Sequence, residues 1–225
     1  MNLPKEITST NKQELQIVIF PDDFLRAELA PFTEEQVKET LCRNTAGAMI
    51  RTMYKYYGIG LAAQQVGVPQ AIFVMDHQWP MTGKRRPRIF INPAIVEAEG
   101  DPIELARPGE GCLSLPFGFR QPVPRASRVL LRWRDLNWEE HEEWFEDSAA
   151  IVVQHEVDHL FGVLFVDRMS LLKQDMFKRK MYKVRRQHKK GFKKALKAIK
   201  NSGKHPDPVK TAKALEMTKR SPSGD

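Results

Sequence analysis

The five residues His155-Glu156-Val157-Asp158-His159 constrain this chain more than any others. Two histidines four apart share one face when the backbone is helical. Both rings can then reach a single metal ion. Glu156, beside the first ring, can touch a water on that ion without ligating it. The flanks from Ala149 to Gly162 are helical in character and apolar enough to be buried. A fold built from this chain therefore has to shelter a polar, metal-binding helix near its centre.

A catalytic metal needs a third protein ligand and an open position. Metallopeptidases that continue the motif as H-E-x-x-H-x-x-G-x-x-H place a third histidine downstream. Here Gly162 stands at the glycine position, but Phe165 stands where the last histidine belongs. His188 and His205 lie in a strongly basic region and read as solvated, and the first downstream glutamate is Glu216. Upstream, Cys112 lies in the segment Glu110 to Ser114 (EGCLS) and as a thiolate is a good ligand for a transition metal. Cys42 falls within an expected amphipathic helix and reads as a small core residue. A Cys-His-His set suits Zn²⁺, Fe²⁺, Ni²⁺ or Co²⁺.

The rest of the chain reads as α+β: short, largely antiparallel strands around a central motif-bearing helix, with a basic helical C-terminal extension. Thr33 and Gln36 form a capping-box pattern, and apolar residues recur at helical spacing to Tyr56. This predicts one helix from about Thr33 to Tyr57, ended by Gly58. Strands are expected at Gln16–Phe20, Ala71–Met75, Arg88–Ile91 and Val129–Trp133. The segment Gly58 to Gln65 reads as a loop. Trp133, Trp138 and Trp144 show no stacking pattern and read as packing residues. Asp158 is expected at the surface or behind the ligands, and Gln154 as a core hydrogen-bonding residue or a water anchor.

Charge divides the 225 residues unevenly. Residues 171–225 hold 18 Lys/Arg against 4 Asp/Glu, a net of +14, whereas residues 1–170 carry a net of −6. The expected organisation is a mobile N-terminus over 1–14, a catalytic domain over 15–168, a basic amphipathic helical extension over 169–200 and a disordered basic tail over 201–225. No apolar run approaches the roughly 20 residues of a membrane helix, and no membrane partner is expected. The first residues lack a secretory signal pattern, and Glu6 and Glu14 argue against an Arg-rich transit peptide. Two cysteines are too few for a disulfide framework. A bacterial cytoplasm is the expected setting.

Three segments stand in order: Gly58 to Gln65 (GIGLAAQQ), Glu110 to Ser114 (EGCLS) and Gln154 to Leu160 (QHEVDHL). Together they resemble the peptide deformylase family, and the likeness extends across the flanks from about Leu15 through Phe20-Pro21-Asp22 to Asp167-Arg168. The resemblance implies metal ligands Cys112, His155 and His159, with Glu156 as general acid and base. It implies that Gln65 and the backbone N–H of Leu113 bind the developing oxyanion, and that the backbone of Gly60 pairs with the substrate. Ile59 and Ile151 would line a methionine pocket, with Glu110, Gly111 and Arg120 also on the substrate side. The segment between Cys112 and Arg125 is one residue longer than the family pattern, which loosens the correspondence at Arg120. Ser148 stands where a larger apolar residue often lines the pocket.

The implied reaction is hydrolysis of the N-formyl group from the initiator methionine of nascent polypeptides, releasing formate. A hydroxide formed from the water on the metal attacks the formyl carbon, and Glu156 carries the proton to the leaving amine. The family works best with ferrous iron, so Fe²⁺ is the expected ion, and its thiolate ligand is then open to oxidation. The basic stretch Met169 to Lys200 is expected to contact ribosomal RNA near the exit of the nascent chain. A metallopeptidase, or an RNA-binding protein with a vestigial metal site, are the rival readings.

Overall fold

The computed structural model describes residues 14–105, 109–115 and 118–183. Two compact units divide between Arg168 and Met169. The expected mobile N-terminus, except Glu14, and the expected basic tail lie outside the described residues, as does the second half of the expected extension.

In the first unit, α1 (Glu34–Lys38) begins at the Thr33 capping box, with Thr33 N–H donating to Gln36 Oε1 at 2.9 Å. The single helix expected from Thr33 to Tyr57 is broken. Glu39 is extended, and α2 (Thr40–Lys55) starts after it. Val37 and Cys42 explain the break, because both are buried. Five residues of unbroken helix would turn them about 140° apart, onto different faces. The kink at Glu39 lets both reach the core, and Leu41 is exposed as a result. At the other end, Tyr57 N–H donates to the carbonyl of Tyr54 at 3.1 Å and Gly58 N–H to that of Met53 at 2.9 Å. This double closure places its middle residue in the left-handed region, a position that glycine usually fills. Here that residue is Tyr57, at φ +56°, and not Gly58.

Five strands form one antiparallel sheet: β1 (Gly60–Ala62), β2 (Ile72–Met75), β3 (Arg88–Glu99), and, after the two-stranded β4 (Glu110–Gly111) and β5 (Arg120–Gln121), β6 (Arg128–Arg134) and β7 (Glu140–Glu146). Their order is β1-β2-β3-β6-β7, all neighbours antiparallel. The expected loop of the first motif thus contains an edge strand. β3 runs well past the expected Ile91 because it absorbs Asn92-Pro93 in a register shift. Proline has no N–H for the ladder and is tolerated at such irregularities. Asn92 (φ +49°) anchors the bend by accepting from Phe32 N–H and donating to Phe32 O, both at 2.8 Å.

No strand formed at Gln16–Phe20. Its Val18 N–H reaches Gln65 O and its Phe20 N–H reaches Ser114 O, both at 2.8 Å. The segment spans two different loops and pairs with neither as a ladder. β7 was not anticipated, because EHEEWFE has no apolar alternation. It pairs with β6 so that Arg134 faces Glu140, Arg132 faces Glu142 and Arg128 faces Glu146. Cross-strand charge pairs supply what apolar patterning does not.

The motif helix, α3 (Asp147–Leu160), packs across all five strands of the large sheet. Ala150, Ile151, Val152, Val153, Val157 and Leu160 are all buried, and so are the polar His155, Glu156, Asp158 and His159, so the helix is enclosed on nearly every side. Phe73, Phe90, Trp133 and Phe145 form an aromatic cluster on the sheet, with Phe73 and Phe90 stacked at 4.4 Å. In the second unit, residues 171–183 are helical, with an Asp175–Arg179 ion pair at 2.8 Å. Among the described residues, no helix is long and apolar enough to cross a membrane.

Candidate active site

One buried turn of α3 presents His155 and His159, while Cys112 enters from the turn that follows β4. One ligand atom from each of the three lies within 4.8 Å of the others. Cys112 Sγ is 3.3 Å from His159 Nε2, and the two imidazoles cross at 5.1 Å between centroids. The electrostatics favour a cation here. Burial disfavours charge on His155, yet the Cys112 sulfur and the Glu110 carboxylate outweigh it and hold a proton on the ring well above the usual histidine range. Burial, and then the neighbouring His155, push His159 the other way. One cysteine sulfur, two imidazoles and a carboxylate behind them suit a divalent ion by donor type.

Glu156 lies beside these donors. Burial raises its carboxyl to about 7, a value at which one group can both take and give a proton near neutrality. Its Oε2 is buried without a protein hydrogen-bond partner. The carboxylate lies against the backbone of Gly60, where an added Cβ would come within 2.3 Å of Oε1. Glycine is required at 60 because any side chain would displace the carboxylate.

Gln65 comes from a short 3₁₀ turn after β1 and is 2% exposed. Its Oε1 accepts from Ala62 N–H at 2.8 Å, which fixes the amide so that Nε2 donates to Cys112 Sγ at 3.3 Å. Gln65 therefore both ties its own loop and aims an N–H into the centre. Gln64 is turned the opposite way, and its amide donates to the carbonyls of Ala27 and His159.

Cys112 and His155 border a cleft of about 450 Å³, and His159 is fully buried. Ile59, Gly60, Gly111, Leu113, Arg120 and Ile151 all line it. Arg120 lies over Gly111 and donates to Gly109 O at 3.3 Å. Glu110 also borders the cleft, with its side chain turned to the rear. It is 3% exposed, and both its oxygens are engaged: Arg125 spans them at 2.8 and 3.0 Å, and His155 Nδ1 lies 2.8 Å from Oε2. Burial alone would raise this carboxyl, but the hydrogen bonds from His155 and Arg125 hold it at about 2. Its side chain orients His155 from behind.

Arg125, which the sequence did not single out, organises the rear of the centre. It also reaches Asp158 at 2.6 Å, and Asp158 accepts from Arg168 Nε at 2.5 Å. A chain of charges thus runs Arg168–Asp158–Arg125–Glu110–His155, mostly out of water. Asp158 is buried behind His155 and His159 rather than at the surface. Gln154, half-buried, clamps the backbone of Ala126 from both sides, at 3.1 Å as acceptor and 2.9 Å as donor.

This arrangement has counterparts. The polypeptide deformylase family model matches residues 14–175. The chain belongs to that family. A peptide deformylase of Alkalilimnicola ehrlichii is 44% identical over 173 residues, 77% of this chain and 92% of that protein. One from Xylella fastidiosa is 41% identical over 172 residues, covering 76% and 96%. Among solved structures, a peptide deformylase from Plasmodium falciparum superposes with TM-score 0.68 at 32% identity, over 77% of this chain and 97% of that one. The one from Thermotoga maritima gives 0.62 at 38%, over 70% and 99%. The α+β reading holds, and the protein is a metal-dependent hydrolase that removes the N-formyl group from nascent peptides. The metallopeptidase and non-enzymatic readings are set aside.

Proposed function

We propose that Cys112, His155 and His159 hold one divalent ion, Fe²⁺ in the native enzyme, and that Glu156 serves as acid and base beside it. Zn²⁺, Ni²⁺ and Co²⁺ suit the same donors. The observation that carries this reading is the buried, unpartnered Oε2 of Glu156 next to three converging metal-binding groups. When bound, the ion supplies a Lewis acid that makes a water acidic near neutral pH and draws charge from the formyl oxygen. Glu156 takes the proton of the attacking water and returns it to the leaving amine. The Gln65 Nε2–H and the Leu113 backbone N–H stabilise the oxyanion. Gly60 offers its backbone to the peptide, Ile59 and Ile151 receive the methionine side chain, and Gly111 and Arg120 wall the cleft.

The test is formate release from a formyl-Met peptide together with metal content by mass spectrometry. Glu156→Gln is expected to keep its metal and lose at least about 100-fold in rate. A variant with wild-type turnover would remove Glu156 from the chemistry.

The charge of the C-terminal stretch supports a second element of the reading. With a net of +14 over residues 171–225, this stretch suits ribosomal RNA, and the bacterial cytoplasm is the matching compartment. Truncation after Arg168 is expected to spare hydrolysis of a short formyl-Met peptide and to weaken salt-sensitive ribosome binding. Unchanged ribosome affinity would refute that role for the extension.

A further inference from the structure

One stretch of the first unit runs against its charge. Residues 1–170 carry a net of −6, yet Trp79 to Arg88, in the connection from β2 into β3, holds Lys84, Arg85, Arg86 and Arg88 and no acid. Residues 81–86 are all exposed. Among the described residues, only Arg88 of these four forms an ion pair, bridging both oxygens of Glu143 at 3.0 and 2.8 Å. Asp76 lies beneath the loop but is 4% exposed. Its Oδ2 accepts from the Arg86 N–H at 2.6 Å and from the Tyr54 hydroxyl at 2.5 Å. That carboxylate holds the loop backbone and does not meet solvent.

The cations are fixed before any partner arrives. Trp79–Thr82 form one helical turn, closed by Gly83 N–H donating to Trp79 O at 2.9 Å. Lys84 N–H donates to Thr82 Oγ1 at 3.2 Å. The Arg85 guanidinium lies over the Tyr54 ring at 4.5 Å and 5.9 Å from that of Trp79. Trp79 is itself held by donating from Nε1 to Gly58 O at 2.9 Å. Beside the cations lies an open ring: Tyr57 stacks on Trp79 at 6.2 Å and 30° yet is 82% exposed. Preorganised cations next to a free aromatic face match a chain of phosphates that carries unstacked bases. A duplex hides its base faces, and an acidic peptide has no need of the ring.

We propose that this loop is a binding surface for single-stranded RNA, with Lys84 and Arg86 on neighbouring phosphates and an unpaired base stacked on Tyr57. The enzyme acts on nascent peptides, so RNA is the polyanion of its surroundings. The surface belongs to the first unit and is separate from the charge of residues 171–225.

The experiment uses the full-length, metal-loaded protein and a short oligouridine carrying thiouridine. After irradiation, crosslinked peptides are mapped by mass spectrometry, and a crosslink at Tyr57 or Trp79 is expected. Lys84→Ala combined with Arg86→Ala is expected to lower its yield at least about fivefold. The slope of log Kd against log salt is expected to fall by about 1.4, since each single-strand phosphate contact contributes about 0.7. Lys84→Arg combined with Arg86→Lys keeps the charge and is expected to restore both. Formate release from a formyl-Met peptide is expected to stay unchanged in both double variants, which shows that the catalytic unit is folded. Crosslinks confined to residues 171–225, or a Tyr57 or Trp79 crosslink that survives the alanine variant, would overturn the proposal. Displacement of the RNA from this loop by polyglutamate at equal charge concentration would also overturn it, and would make the loop a site for acidic protein.

Discussion

Arginine–carboxylate pairs occur in two places in this protein, and they do different things. On the sheet, Arg134–Glu140, Arg132–Glu142 and Arg128–Glu146 bridge β6 and β7 at 2.8, 3.3 and 3.1 Å, with side chains about a third to two-thirds exposed. Behind Cys112, His155 and His159, Arg125–Glu110 and Arg125–Asp158 have similar distances, 2.8 and 2.6 Å, but Arg125 and Glu110 are nearly sealed from water. Distance does not separate the two sets; solvent does. The sheet ladder sets register and solubility at little energetic gain. The buried set costs desolvation and repays it only while every partner is present. It exists to hold His155 in one orientation.

That contrast is broken or sharpened by substitution. The largest effect is expected from Arg125→Ala, which strands Glu110 and Asp158 without their shared cation. Urea unfolding is expected to show a loss of about 3–5 kcal/mol. A loss as small as that on the sheet would place both sets in one class. Next is Glu110→Gln, which keeps the shape but removes the charge behind His155. Metal affinity, measured by competition with a chelator, is expected to fall about 10- to 100-fold. Activity at saturating metal is expected to recover in part. Unchanged affinity would mean that Glu110 braces the loop and not the ring. The smallest effect is expected from Arg132→Ala on the sheet: at most about 1 kcal/mol, largely absent in molar salt. A larger or salt-resistant loss would show the ladder to be structural in its own right.

The centre was legible in the sequence because its signals are local. His155 and His159 are one helical turn apart, and Cys112 sits in a short distinctive segment. Arg125 was not legible, because its partners Glu110 and Asp158 lie 15 and 33 residues away and no periodicity marks it. Those two carboxylates could have given the hint: both lie inside the motifs, and a buried anion needs a cation. The same limit hid the partners of Glu110, which borders the cleft while Arg125 and His155 hold its carboxylate. In the fold, the apolar strands β2, β3 and β6 were found, the equally apolar Gln16–Phe20 formed none, and β7 was missed, since its pairing is written in charge. The helix break at Glu39 was hidden because periodicity continues on both sides with a shifted phase. Tyr57 was hidden because Gly58 is the ordinary choice for a left-handed residue.

The burial of the reacting groups has a consequence for timing. Glu156 and His159 are 4% and 0% exposed, so a loose chain terminus reaches them where an amide held inside a folded domain does not. The enzyme therefore measures whether a polypeptide still has a loose beginning. Once that beginning is tucked into a folded domain the opportunity has passed, and a formyl group fixed in such a domain is expected to remain on prolonged incubation with active enzyme.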